Sequence, residues 1–267
     1  MNSSLSQQNV RLLVRNPQEL ALLKKSGEIT ARALKMVIEA SYPGVSLLQL
    51  EEIATREITR LGGQSSFKTV PGYYYTTCLT VNDEVVHGIP RPITLREGDV
   101  LGVDLGAVYK GWHTDSAWSV LVGGQEAGNG QEGEKRRFLK AGEEALWKAV
   151  AQAKAGNRIG DISSALQQTV ERAGYRVVKS LSGHGVGRAA HEDPEVPTFG
   201  KEGVGLKLQE NMTIAIESIY AGGRGEIYEK DDGWTLATDD GSLGGLFEMS
   251  VIVGKNGPEV LTDWRKY

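Results

Sequence analysis

Soft metal ligands are scarce in this chain: one cysteine, Cys78, and four histidines in 267 residues. A single thiol excludes an intramolecular disulfide and any thiolate-rich zinc site. Positive charge is also short. Lys plus Arg number 30 against 34 Asp plus Glu, a formal net charge of −4, so the basic face of a nucleic-acid binder is not expected. No apolar run reaches the length of a membrane span, and Met1 to Val10 is polar and uncharged, unlike a secretory signal. A cytoplasmic protein with no membrane partner is the expectation. With 40% hydrophobic and 24% charged residues the composition is that of an ordinary globular protein, long enough for one large domain or two small ones.

Two of the four histidines share one stretch, Ser182-Gly183-His184-Gly185-Val186-Gly187-Arg188-Ala189-Ala190-His191-Glu192-Asp193-Pro194. Glycine beside histidine lets backbone close on whatever the imidazole holds. Pro194 should end any regular element. The stretch reads as a rigid, site-forming loop, and from this loop alone a surface loop that happens to carry histidine fits as well.

Residues 1–15 read as a short tail. Asn16-Pro17-Gln18-Glu19 is a helix start, with an N-cap, proline at N1 and an acid at N3. Leu20, Leu23, Gly27, Ala31, Leu34 and Ile38 follow at helical spacing until Pro43-Gly44. A second helix covers 46–61. Strands are expected over Tyr73–Val81, Val85–His87, Val100–Leu105 and Trp112–Val122, the last two as a hairpin. Residues 123–135 read as an exposed linker. Helices return over Phe138–Lys154 and about 161–173. Strands over Met212–Ile219, Trp234–Leu236 and Leu246–Val253 complete the sheet.

The two halves, about 16–122 and 136–253, repeat one another. Pro43–Leu50 matches Ala155–Ile162, Ile58 matches Val170, and Gly62 matches Gly174. Further on, Leu95–Asp99 lines up with Leu208–Met212, which carries Val103-Asp104 onto Ile216-Glu217. Two such units about a pseudo-twofold would bring both acids to a central seam.

Asp104, Asp115, Glu217 and Glu248 each interrupt a strand that otherwise reads as buried. Burying an unpaired carboxylate is costly. Each alone could face outward or sit in an ion pair, but four in four strands, with few basic neighbours, point to a cation. With His184 the set is Asp, Asp, His, Glu, Glu, which suits Mn²⁺, Fe²⁺, Co²⁺ or Zn²⁺. Four carboxylates over-neutralise one divalent ion, and two would balance them.

Asn82–Pro90, Val103–Leu105 with Asp115, Gly183–Gly187 with His191–Pro194, Ile216-Glu217 and Phe247-Glu248 together resemble the type I methionine aminopeptidases. The resemblance runs from about Asn16 to the C-terminus. It implies an α+β, pita-bread fold, two αβ halves around a curved antiparallel sheet, forming a single catalytic domain over 16–267. It implies Asp104, Asp115, His184, Glu217 and Glu248 as ligands of two divalent ions, with Asp115 and Glu248 bridging. It implies removal of the N-terminal methionine from nascent proteins, by attack of a hydroxide activated between the ions. His191 would polarise the scissile carbonyl, Glu217 would shuttle the proton, and His87 would contact the leaving peptide. Tyr73, Cys78 and Trp234 are candidates for the wall that holds the methionine side chain. The partners implied are peptides with N-terminal Met, near the ribosome, and a monomer is expected.

His113 is expected on a strand surface, without a ligand role. Three positions depart from the family pattern: Met249 where histidine is common, Ser218 where proline is usual, and Ala190 where an aromatic is frequent. The rival readings are a proline-directed peptidase of the same fold, which usually carries an extra N-terminal domain, and a non-catalytic binder of nascent chains or ribosomes, which would be expected to lose ligands.

Overall fold

The computed structural model describes residues 13–123 and 130–267. Its first long element, α1 (Pro17–Glu39), begins as the sequence suggests. The Asn16 side chain accepts the Glu19 N–H, and the Glu19 carboxylate accepts the Asn16 N–H. Helix α2 (Leu47–Arg60) buries Leu47, Leu50, Ala54 and Ile58 behind a second capping box, Ser46 with Gln49. The strands that follow are β1 (Gln64–Ser65), β2 (Thr77–Val81), β3 (Glu84–Val86), β4 (Val100–Tyr109) and β5 (Trp112–Leu121). Next come α3 (Gln131–Val150), α4 (Ile159–Arg172), β6 (Arg176–Val177), β7 (Ser182–Gly185), β8 (Glu192–Pro197) and β9 (Thr213–Ala221). The chain closes with β10 (Ile227–Glu229), β11 (Leu236–Thr238), β12 (Gly244–Ile252) and β13 (Glu259–Val260).

Ten of the described strands form one antiparallel sheet, ordered β1-β4-β5-β12-β9-β7-β8, with β2 on β4, β6 on β9 and β13 on β12. A small sheet β10-β11-β3 stands beside it. Helix α1 packs on β4 and β5, and α3 packs on β9 and β12. Strand alternation then sorts the residues. Val103, Leu105, Ile214, Ile216, Phe247, Met249 and Val251 enter the helix-side core. Asp104, Asp115, Glu217 and Glu248 therefore fall on the other face.

The internal repeat is visible bond by bond. Gly44 N–H donates to Leu95 C=O (2.9 Å) and Gly156 N–H to Leu208 C=O (3.0 Å). Leu47 N–H donates to Ile93 C=O (3.1 Å) and Ile159 N–H to Leu206 C=O (3.0 Å). Gly44 and Gly156 hold φ of +100° and +99°, a conformation that side chains resist. Asp104 of β4 and Glu217 of β9 occupy matching places, each facing the inner strand of its hairpin. The other acids are not images of each other, since Asp104 faces Ala117 whereas Glu217 faces Glu248.

Several sequence expectations are corrected. Residues 13–15 are part of the fold: Val14 bridges Met212, and Leu13 and Arg15 are buried. The rest of the expected tail, 1–12, lies outside the described residues. The expected linker is shortened, because α3 starts at Gln131, where Glu132 and Glu134 favour a helix N-terminus; residues 124–129 lie outside the described residues. The strand expected from Tyr73 starts only at Thr77, because the Glu51 carboxylate takes the Thr76 and Thr77 N–H groups (2.7 and 2.9 Å) before the ladder begins. Trp234 and Thr235 precede β11, their N–H groups turned onto Asp232. The histidine loop is a strand pair, β7 with β8, and Pro194 lies within it. Glycine is what lets the pair close, since a Cβ at Gly185 would stand 2.0 Å from the Asp193 oxygen.

Candidate metal centre

Register builds the site. Across five strands one row of partners reads Cys78, Asp104, Ala117, Glu248, Glu217. Directly opposed residues have Cβ atoms within about 5 Å on one face. Asp115 lies two residues before Ala117, on the same face. His184 pairs with Ala215, two residues before Glu217. The five residues come from five strands and converge without any loop having to aim them. Ala117, small and central, leaves the floor open between Asp104 and Glu248.

Ligand atoms of Asp104, Asp115 and Glu248 lie within 4.8 Å of one another, as do those of His184, Glu217 and Glu248. A third group joins Asp115, His184 and His191. Asp115, His184 and Glu248 each belong to two groups. His184 Nδ1 lies 2.9 Å from Gly185 C=O, so Nδ1 carries the proton and Nε2 is bare, 3.5 Å from Glu217. Buried Asp104 Oδ1 and Glu248 Oε1 have no hydrogen-bond partner among the described residues. Orphaned carboxylate oxygens in the interior are costly, and a cation satisfies them. The donor set fits divalent ions.

Electrostatics agree with the geometry. Burial, then the charges of Asp115 and Glu217, raises Asp104 well above the usual carboxylate range. Burial pushes Asp115 up to about 7 although the Ser116 N–H and Asp104 counter it. Glu217 and Glu248 are raised by burial and by Asp115. His184 is lowered to about 4, by burial and then by His191, which keeps its imidazole neutral and able to ligate.

The acids floor a cavity of about 330 Å³ lined by every residue given a site role from the sequence: Asp104, Asp115, His184, Glu217, Glu248, His87, His191, Tyr73, Cys78 and Trp234. Tyr73 and Trp234 meet edge-on at 4.9 Å, and Phe67 packs on Tyr73 at 6.3 Å. Cys78 Sγ donates to Tyr73 Oη (3.2 Å), which donates to Thr77 C=O (2.7 Å). His87 holds a positive φ of 59°, and its imidazole and that of His191 are both lowered by burial. The His184 and His191 rings meet at 4.4 Å.

Phe67, Ser180, Leu181, Ile219 and Leu246 also line the cavity and were not foreseen. Ile219 and Leu246 were reachable by parity, two residues from Glu217 and Glu248. Phe67 sits in a short 3₁₀ turn with no periodic signal. His113 is buried rather than on a strand surface, its Nδ1 2.8 Å from Ser66 Oγ. Met249 and Ser218 alternate away from the acids, and Met249 is wholly in the helix-side core. Ala190 is buried and is not among the residues that line the cavity.

Residues 21–254 match a family model described as Metallopeptidase family M24. The chain is 39% identical to a methionine aminopeptidase of Clostridium perfringens, over 94% of this chain and 98% of that one. A crystal structure of methionine aminopeptidase from Thermotoga maritima superposes with a TM-score of 0.89 at 38% identity, covering 93% of this chain and 98% of that one. A prolidase from Pyrococcus furiosus superposes with a TM-score of 0.74 over 98% of this chain and 74% of that one, and at 21% identity it shows the fold alone. The pita-bread fold expected from the sequence is the one found.

Proposed function

The chain belongs to metallopeptidase family M24, and from that premise we propose that it removes N-terminal methionine from newly made proteins. One observation carries the reading: five strand-borne donor side chains from both halves converge on the cavity floor, with two buried carboxylate oxygens left without partners among the described residues. Asp104, Asp115 and Glu248 would hold one divalent ion, and His184, Glu217 and Glu248 a second; four carboxylates favour two charges of +2 over one. Bound there, such ions act as Lewis acids that ready a water to attack near neutral pH.

The remaining work falls to the chain. The wall of Phe67, Tyr73, Cys78 and Trp234 holds an unbranched thioether through sulfur–ring contact and excludes water around it. His191 stands at the cavity edge of the acid cluster and donates to the scissile carbonyl oxygen as charge grows on it. Glu217 keeps or yields a proton at its carboxylate and passes it to the leaving amine. His87, fixed in a left-handed backbone conformation beside the wall, contacts the leaving peptide.

The test is turnover by the chelated full chain. Adding Co²⁺, Mn²⁺, Fe²⁺ or Zn²⁺ singly should release methionine from Met-Ala-Ser. Release only from X-Pro peptides would overturn the reading in favour of a proline-directed peptidase, and no release with any ion in favour of a binding protein.

A further inference from the structure

His191 reaches the cavity from the turn between β7 and β8, and the ladder does little to hold that turn. The two strands pair at Ser182–Pro197, Gly183–Val196 and Gly185–Glu192, with an irregularity between Gly183 and Gly185. Beyond Gly185 two backbone bonds tie the start of the turn, Val186 N–H to Thr213 C=O (3.2 Å) and His113 N–H to Gly187 C=O (2.6 Å), and side chains hold the part that carries His191. One oxygen of Glu192 accepts the backbone N–H groups of Arg188 and Ala189, the latter at 3.0 Å. The other oxygen accepts from the Arg15 guanidinium.

Arg15 is only 5% exposed, which is unusual for arginine and sets it apart from the surface cations. Its guanidinium also donates to Thr213 Oγ1 (3.1 Å) and to Val186 C=O (3.4 Å). Its backbone is pinned, because Arg15 N–H donates to Asn211 C=O (2.9 Å) and Val14 bridges Met212. Gly187 lies flat against it, since a Cβ there would stand 2.5 Å from Nη2. Trp112 lies under both Arg15 (5.4 Å) and Arg188 (4.5 Å), and Arg188 reaches Glu19 of α1 at 2.7 Å. The segment ahead of α1 thus straps the turn to β9.

We propose that Arg15 and Glu192 are positioning residues for His191: their ion pair, buried at Arg15 and half-buried at Glu192, fixes the 186–191 turn and so sets where the imidazole stands over the scissile bond. The inference rests on the peptidase reading for its catalytic part. A planar guanidinium satisfies several separated acceptors at once, which an ammonium does not. A pair drawn this far out of water adds little net stability against an apolar substitute, but it specifies one geometry.

The test uses the full chain, saturated with Mn²⁺ for turnover of Met-Ala-Ser and metal-free for amide exchange, with Arg15→Lys, Arg15→Met and Glu192→Gln. A misplacement of about 1 Å costs on the order of 100-fold, so kcat should fall roughly 10- to 100-fold with KM within about threefold. Exchange of the Arg188 and Ala189 amides should quicken by roughly tenfold or more as the turn opens. Mn²⁺ affinity should stay unchanged, because the five ligands sit on the sheet and not on the turn. Should Arg15→Met fail to fold, Arg15→Lys and Glu192→Gln read out the same quantities. Unchanged exchange, or faster exchange with unchanged kcat, would overturn the proposal. So would parallel losses of kcat, Mn²⁺ affinity and Tm, the mark of a merely structural pair. If the wild-type chain releases no methionine, the peptidase reading fails separately and the exchange data still decide whether the clamp exists.

Discussion

At the scale of single residues, the site depends on what is small as much as on what is charged. Ala117 faces Asp104 on one side and Glu248 on the other, with no exposed surface of its own. A larger side chain there would project into the space that the carboxylates enclose. Ala117→Leu should therefore abolish tight Mn²⁺ binding while every ligand remains, measured by calorimetric titration; binding within about threefold of wild type would show that the space above Ala117 is not where an ion sits. The sequence announced the acids, because carboxylates within apolar strands are conspicuous. It gave no sign of Ala117 or Phe67, because a small residue in a strand and an aromatic in an irregular turn look the same whether they line a cavity or fill a core. His113 misled for a related reason. A polar residue flanked by tryptophan and threonine suggests a surface, yet Ser66 Oγ satisfies its ring nitrogen in the interior.

At the scale of elements, the join between β5 and β12 is the mechanical centre. The two strands are in ladder register only at Ala117–Glu248 and Ser116–Met249. Serine hydroxyls extend the join. Ser250 Oγ accepts the Asp115 N–H (2.9 Å) and donates to Asp115 C=O (2.8 Å). Ser116 Oγ donates to Glu248 C=O (2.8 Å), and Ser119 Oγ to Leu246 C=O (2.8 Å). These bonds fix the backbone of the two acids that belong to two ligand groups each. Ser250→Ala would leave a buried N–H and C=O without partners, at a cost of about 1–3 kcal/mol. Thermal unfolding of the metal-free protein should show that loss, and an unchanged Tm would mean that the ladder alone holds the seam. Helices and long strands were legible from period and capping: Asn16 with Glu19, and Ser46 with Gln49, act as their spacing suggests. The β7–β8 pair was not, because its glycines lower strand propensity while permitting close approach of Asp193. Propensity sees the first effect, and only packing reveals the second.

At the scale of the whole molecule, the repeat was legible because matched turns and matched hydrogen bonds leave matched residues. The convergence of the four acids and His184 was legible only as an inference from it, since no sequence pattern states which strands lie side by side. Folding drives four carboxyls into the interior, and this ties stability to pH. Between about pH 7.5 and 8.5 the unfolded chain holds essentially no protons on these groups and its histidines are close to neutral. The metal-free native state still holds protons, with Asp115 pushed up to about 7 and Asp104, Glu217 and Glu248 raised well above their ordinary range. The native state thus binds more protons than the unfolded one, and its stability falls as pH rises through this window. The four histidines are lowered, so below about pH 7.5 the unfolded chain's proton uptake on them opposes the trend, and above it they are close to neutral in both states. The Tm of chelated protein should drop from about pH 7.5 to about 8.5, and the Tm gained on adding Mn²⁺ should grow over the same interval. A flat or rising Tm for chelated protein would mean that the carboxyls are not buried together.

The anomalous difference map of crystals soaked in Mn²⁺ bears on the central claim most directly. Peaks should stand among the oxygens of Asp104, Asp115 and Glu248 and beside His184 Nε2 with Glu217. A saturated soak with no peak at these atoms, or with manganese bound only elsewhere, would contradict the account.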